Sequence, residues 1–190
     1  MSLEPLVVSA SIVALAEMGD KTQLLAFVLA SRLRRRLPII AGILVATLAN
    51  HALAASIGTW LARLAAPRTL TWTVGLAFVA FGLWTLRPDE LAAHRERPGA
   101  GVFVTTVVAF FVVEMGDKTQ LATVALAARY DSLVAVVAGT TLGMMAANVP
   151  AVWMGDALAD RVNMRLIRWI AAGSFVALGA LTLLSGVTLH

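Results

Sequence analysis

The sequence predicts an all-α, polytopic membrane protein of six transmembrane helices, arranged as two inverted three-helix repeats. Three observations carry this prediction: six long apolar segments, an internal duplication and an uneven distribution of arginine. The 190 residues are 59% hydrophobic and only 14% charged, whereas soluble domains usually contain about 25% charged residues. A chain this apolar cannot cover its own surface with polar groups, so we expect it to lie in a lipid bilayer.

Six apolar segments have, or approach, the roughly 20 residues that a helix needs to cross the hydrocarbon core. Helices are expected because lipid cannot satisfy exposed backbone N–H and C=O groups. The first segment follows a start without basic residues and shows no small-residue cleavage site, so we interpret it as a retained span. The predicted spans are Leu6–Ala30, Pro38–Leu61, Thr69–Leu86, Val102–Ala128, Leu133–Met154 and Leu166–Val187.

The two halves of the chain align without gaps. The sequence EMGDKTQL of Glu17–Leu24 recurs letter for letter at Glu114–Leu121, 97 residues later. The same offset pairs Trp72 with Trp169, and further identities extend the match through three spans. This register indicates an internal duplication, with a first repeat at 1–87, a charged linker at 88–100 and a second repeat at 101–190.

The loop arginines predict the orientation of the repeats, because cytoplasmic loops of membrane proteins are enriched in Lys and Arg. The side that we predict to be cytoplasmic receives Arg32, Arg34, Arg35, Arg36, Arg87, Arg95, Arg97, Arg161, Arg165 and Arg168, and the other receives Arg63, Arg68 and Arg129. The linker is therefore expected in the cytoplasm and both termini outside. Three spans per repeat is an odd number, so the repeats insert in opposite senses, as in many secondary transporters.

Each copy of the duplicated motif places two acidic residues within a predicted span. Such residues cost at least ~2.5 kcal/mol each to insert and usually mark an ion or proton path. On a continuous helix, the acids of one copy, its lysine and its glutamine share one face. The predicted cation ligands are Glu17, Asp20, Gln23, Glu114, Asp117 and Gln120, supported by Lys21, Thr22, Lys118 and Thr119.

The formal charge of this motif set suggests its ligand. Four carboxylates and the only two lysines of the chain sum to −2, which one divalent cation would neutralise. Carboxylate, amide and hydroxyl oxygens are hard ligands that suit Ca²⁺, Mn²⁺ or Mg²⁺, and the chain has no cysteine for a soft thiolate site. Protons could replace the cation when it leaves, which is a direct route to cation/proton exchange.

Weaker candidates lie near the motif or within it. Asn50, His51 and Asn148 are polar residues in the second span of each half, where they could complete the ion's shell or bond to a neighbouring helix. Gly19 and Gly116 could mark a local break of the helix. Close helix–helix packing is the interpretation we favour for them, since small residues are common at membrane helix interfaces.

The repeated EMGDKTQ resembles the signature E-x-G-D-[K/R]-[T/S] of the GDT-type family of cation/proton antiporters, formerly an uncharacterised membrane protein family. The resemblance covers essentially the whole chain. It implies export of Mn²⁺, or alternatively Ca²⁺, in exchange for protons. The family's acids correspond to Glu17, Asp20, Glu114 and Asp117, and its basic and hydroxyl positions correspond to Lys21, Thr22, Lys118 and Thr119. The short loops resemble bacterial members, which serve the plasma membrane.

We therefore predict a Mn²⁺/proton antiporter of the bacterial inner membrane, with a site shared by the two motif helices and no bound cofactor. A Ca²⁺/proton antiporter, a cation channel, an intramembrane carboxylate hydrolase and a structural subunit are the alternatives. The expected partners are the bilayer, the divalent cation and protons. Nucleic acid is not expected despite a pI near 10.6, because the basic residues fall in loops between spans.

Overall fold

The computed structural model describes residues 3–87, 101–154 and 164–187, and these residues form eight α-helices and no strand. The predicted linker at 88–100 lies outside them. The all-helical fold class is confirmed. In chain order the helices are α1 (Glu4–Glu17), α2 (Lys21–Leu33), α3 (Arg36–Leu64), α4 (Pro67–Thr85), α5 (Val102–Glu114), α6 (Lys118–Tyr130), α7 (Leu133–Met154) and α8 (Met164–Val187).

The duplicated motif divides two of the predicted spans. Helix α1 ends at Glu17 and α2 begins at Lys21, while α5 ends at Glu114 and α6 begins at Lys118. The prediction of continuous helices over Leu6–Ala30 and Val102–Ala128 is therefore wrong. The single helical face that was expected to carry the motif does not exist, because its residues are distributed over two helix ends and the turn between them.

The helix boundaries repeat with the spacing of the sequence duplication. Helices α2 and α3 begin at residues 21 and 36, and α6 and α7 begin at 118 and 133, each 97 residues later. The residues that end α2 and α6 are also equivalent, since Arg34 and Asp131 both adopt left-handed conformations with φ of 52° and 43°. Equivalent sequences in the two halves thus form equivalent local structure.

The long helix of each half packs on the divided helix of the other half. Helix α3 contacts α5 and α6, α7 contacts α1 and α2, and α4 packs along α8. Equivalent glycines permit the close approach. A Cβ on Gly42 would lie 2.7 Å from Thr106, and one on Gly139 would lie 2.9 Å from Ser9. These crossed contacts bring the two motifs together at the centre of the bundle.

The described residues expose apolar side chains and bury polar ones. Large apolar residues such as Leu53 and Trp60 on α3 and Leu83 on α4 are exposed, whereas the motif acids are buried. Exposed apolar surface on this scale is unusual for soluble monomers and is expected in lipid. Helices Arg36–Leu64 and Leu133–Trp153 are long and apolar enough, by length and composition, to cross a membrane.

Candidate cation site

Each motif interrupts its helix at a glycine. Gly19 and Gly116 have φ values of 77° and 75°, in the left-handed region that glycine adopts without the steric cost of a Cβ. No atom lies within 4 Å of a Cβ placed on Gly116. Our preference for close packing is therefore wrong at Gly116, and the left-handed φ of both glycines indicates that they serve the break.

The motif glutamines stabilise the two breaks. The backbone N–H of Gly19 donates to Gln23 Oε1 at 2.9 Å, and that of Gly116 donates to Gln120 Oε1 at 2.7 Å. Both side chains thus satisfy N–H groups that the interrupted helices leave without a helical partner. Whether these glutamines also bind the cation stays a prediction.

The same glutamines connect each break to a long helix. Gln23 Nε2 donates to the backbone carbonyl of Ala147 on α7 at 2.9 Å, and Gln120 Nε2 donates to Asn50 Oδ1 on α3 at 3.3 Å. Ala147 and Asn50 are themselves equivalent positions, 97 residues apart. Each break is therefore held against the opposite half of the molecule.

Three carboxylates from the two motifs form one cluster. One oxygen each of Glu17, Glu114 and Asp117 lies within 4.8 Å of the others. Two ligands of one Ca²⁺, at 2.3–2.6 Å from the ion, are at most about 5 Å apart, so the spacing suits a single divalent cation. The three residues are only 0%, 1% and 3% exposed. Among the described residues, no histidine nitrogen joins this cluster.

Crossed ion pairs link the two motifs. Lys21 Nζ lies 2.6 Å from Asp117 Oδ1, and Lys118 Nζ lies 3.2 Å from Asp20 Oδ1. The lysine side chains differ in accessibility, since that of Lys21 is 21% exposed and that of Lys118 is 4% exposed. Asp20 thus lies beside Lys118 rather than in the carboxylate cluster, and its role as a direct cation ligand stays a prediction.

The aspartates also begin the second helix of each break. Asp20 and Asp117 are the N-cap residues of α2 and α6, and Asp20 accepts a hydrogen bond from Lys21 N at 2.8 Å. A carboxylate at this position is stabilised by the positive end of the helix dipole. The break therefore helps to stabilise negative charge within an apolar bundle.

The two glutamates have unequal surroundings. The hydroxyls of Thr22 and Thr119 both donate to Glu17, one to each carboxylate oxygen. Neither oxygen of Glu114 has a hydrogen-bond partner among the described residues, although both are buried. Buried polar atoms are nearly always paired, so Glu114 is the group that most requires a cation or a proton.

The second group of predicted residues is buried but only partly connected to the motifs. Asn50 donates to the carbonyl of Phe111 at 3.2 Å, and Asn148 donates to the carbonyl of Met144 at 3.0 Å. Neither ring nitrogen of His51 has a hydrogen-bond partner among the described residues. The structure therefore connects Asn50 to a break, through Gln120, and does not bring His51 into the carboxylate cluster, while a role for Asn148 at the cation stays a prediction.

One polar residue near the site escaped the sequence analysis. Thr47 on α3 is buried, and its hydroxyl has no hydrogen-bond partner in the described part of the chain. It precedes Asn50 and His51 by three and four residues, so the three form a polar stripe on one face of an otherwise apolar helix. That spacing was the signal that could have identified it.

The chain matches the family described as "Divalent cation/proton antiporter GDT1" over residues 5–93 and 102–190. A protein of Vibrio cholerae serotype O1 carries the name "Putative manganese exporter". It is 48% identical to this chain over 93% of this chain and 89% of its own length. GDT1-like protein 5 of Arabidopsis thaliana is 31% identical over 91% and 92% of the two chains. No solved structure matches the chain. The chain therefore belongs to the GDT1 family of divalent cation/proton antiporters.

Proposed function

We propose that this protein exports Mn²⁺ from the cytoplasm in exchange for protons, and that the cation binds between the two helix breaks. The observation that carries the proposal is the buried cluster of Glu17, Glu114 and Asp117, in a chain of an antiporter family. The name of the Vibrio cholerae relative supports manganese as the cation. Ca²⁺ is the second candidate, because the cluster offers only hard oxygen ligands.

The three carboxylates would be the first ligands of the entering cation. If Asp20, Gln23 and Gln120 completed its shell, the ion would compete with their present partners, which are a lysine and two glycine N–H groups. Cation binding would then change the hydrogen bonds that hold the breaks. This gives the site a physical connection between occupancy and the shape of the surrounding helices.

Proton exchange follows from the proximity of the acids. With the cation bound, the three carboxylates are ionised and their charge is neutralised. When the cation leaves, like charges within 4.8 Å of one another repel, and protonation of one or more of them relieves the repulsion. Re-entry of a cation displaces those protons, so each ion moves only when the other can replace it.

We place this site in a six-span molecule made of two inverted repeats. The divided helices α1–α2 and α5–α6 would each count as one span, and the equivalent helix boundaries support the duplication. The bias of the loop arginines supports a cytoplasmic linker and external termini in a bacterial plasma membrane. A site between broken helices near the midplane is a recurrent arrangement in such transporters.

The burial of the acids favours exchange over the rival functions. A channel requires a continuous wet path past its charged ring, but the three clustered acids are at most 3% exposed. An intramembrane hydrolase would require substrate access to the same buried cluster. Membership of a transporter family also favours transport.

Metal uptake into proteoliposomes tests the proposal. An imposed pH gradient should drive Mn²⁺ uptake by the wild type, and Glu114→Gln should abolish it, because glutamine preserves shape but cannot bind or release the proton. Asp131→Asn is the matched control, since it makes the same chemical change at an exposed residue whose left-handed conformation asparagine tolerates. Uptake without a pH dependence, or unaltered uptake by Glu114→Gln, would contradict the proposal.

A further inference from the structure

An apolar cavity in the bundle is lined by none of the residues of the carboxylate cluster. It has a volume of about 350 Å³ and lies between the end of α3, α4 and α6, with a wall that includes Leu64, Leu70, Ala77, Phe81 and Val124. The 12 residues from Leu70 to Phe81 span a rise of about 16 Å along α4. That length is about half of the ~30 Å hydrocarbon core, which corresponds to one leaflet.

A polar cavity adjoins the apolar one at the loop end. It has a volume of about 280 Å³ and shares Leu70, Val74 and Ala128 with the apolar cavity. Its other walls present Arg129 and Tyr130, with the hydroxyl-bearing Thr71, Thr182 and Ser185. The two cavities join into one site with a polar end at Arg129 and an apolar end along α4.

Arg129 supplies an unneutralised positive charge to the polar cavity. Its Nη1 donates to Thr182 Oγ1, and its guanidinium lies 5.4 Å from the centre of the Tyr130 ring. Its Nε is buried without a hydrogen-bond partner in the described part of the chain. The nearby Tyr130 hydroxyl contacts Glu4 at 3.3 Å, and Arg129 itself makes no ion pair with a described carboxylate. An arginine in this state is suited to a phosphate oxygen.

We propose that these joined cavities bind one phospholipid, with its phosphate on Arg129 and one acyl chain in the apolar cavity between α3, α4 and α6. A phospholipid satisfies both halves of the site: charge complementarity at Arg129 and an apolar chain of one-leaflet length along α4. The site is separate from the cation cluster, so lipid binding can be measured without measuring transport. Its failure would leave the proposed antiport untouched.

Native mass spectrometry of the purified protein, released from nanodiscs containing phosphatidylglycerol, tests this site. The wild type should retain one phosphatidylglycerol per chain, and diacylglycerol, which lacks the phosphate, should not be retained. Arg129→Gln should lower retention about tenfold, the loss expected for one charge-assisted contact. Arg63→Gln is the matched control, because Arg63 is an exposed arginine at the end of α3 that lines neither cavity.

A second pair of variants tests the acyl-chain cavity. Ala77→Leu should fill it and lower retention while leaving Arg129 in place, whereas Ala80→Leu makes the same change at an exposed position outside the cavity and should leave retention unchanged. If Arg129→Gln does not fold, Ala77→Leu still tests whether the joined cavities bind a phospholipid. Equal loss in Arg129→Gln and Arg63→Gln, unchanged retention in Ala77→Leu, or retention of diacylglycerol would each overturn the proposal.

Discussion

Glu17 and Glu114 occupy equivalent positions in the duplicated sequence but have different hydrogen-bond partners. Thr22 and Thr119 both donate to Glu17, which fixes its carboxylate, while the oxygens of Glu114 have no such donors among the described residues. Equal sequences predicted equal roles, so this difference could not be predicted. It arises because two equivalent side chains cannot both receive the same two hydroxyl groups at one time.

Removing the Thr119 hydroxyl tests how much its hydrogen bond to Glu17 contributes to the rate of transport. Thr119→Val keeps the shape of the side chain but deprives a buried carboxylate of a donor, an effect of about 1–3 kcal/mol. We expect the initial rate of Mn²⁺ uptake to fall at least about tenfold. Thr123→Val is the control, because the Thr123 hydroxyl donates only to the backbone carbonyl of Thr119, at 2.8 Å. Equal rates in the two variants would refute this role for Thr119.

The two lysines should respond differently to substitution. Lys21→Arg should retain partial transport because its side chain is partly exposed, while Lys118→Arg should lose more because its side chain is buried and guanidinium is larger than ammonium. Lys21→Met frees Asp117 and makes the empty site more negative, so we expect Mn²⁺ to bind at least about tenfold more tightly and exchange more slowly. Binding and exchange rates measured on one purified variant check this, and weaker binding would contradict it.

At the scale of the helices, the break in each motif span is the feature that organises the site. The break places a helix end, an N-cap aspartate and a bracing glutamine within a few residues of one another. Sequence alone could not decide between a break and close packing, because both use glycine. The glutamine three residues after each N-cap aspartate was the available signal, since a glutamine there commonly closes the first turn of a helix.

Two glycine-to-alanine substitutions test whether Gly116 is required for its backbone conformation or for close helix packing. Gly116→Ala adds a methyl group into open space but strains a residue with φ of 75°, which should lower stability by about 1–2 kcal/mol. Gly173→Ala also meets no atom within 4 Å but lies inside α8, where alanine is favoured by about 1 kcal/mol. Thermal unfolding in detergent should therefore show opposite shifts. A shift of the same sign and size in both would exclude the conformational explanation.

At the scale of the whole molecule, the duplication was the most informative feature of the sequence. It predicted equivalent halves, and helix starts at 21 and 118 and at 36 and 133 agree with it. Which helices of one half contact the other could not be predicted, because apolar faces such as those of α3 and α7 are compatible with many neighbours. The crossed packing depends on small residues such as Gly42 and Gly139 meeting their opposite helices.

The inverted arrangement of the halves can be tested by locating three positions. A reporter inserted after Arg95 should be cytoplasmic, because ten of the 13 arginines flank that side. Reporters at the two termini should both be external. A terminus and the linker on the same side would exclude inverted repeats, since three spans must separate them.

Proton release on cation binding tests most directly the claim that Mn²⁺ and protons compete for the same carboxylates. Mn²⁺ is titrated into the purified protein in weakly buffered solution, and the released protons are counted with a pH indicator. The wild type should release at least one proton per bound Mn²⁺, and Mn²⁺ binding should weaken as the pH falls, because protons then occupy the carboxylates. Glu114→Gln should release fewer protons, while Asp131→Asn should match the wild type. Stoichiometric Mn²⁺ binding with no proton release over the pH range in which the protein transports would contradict the shared site.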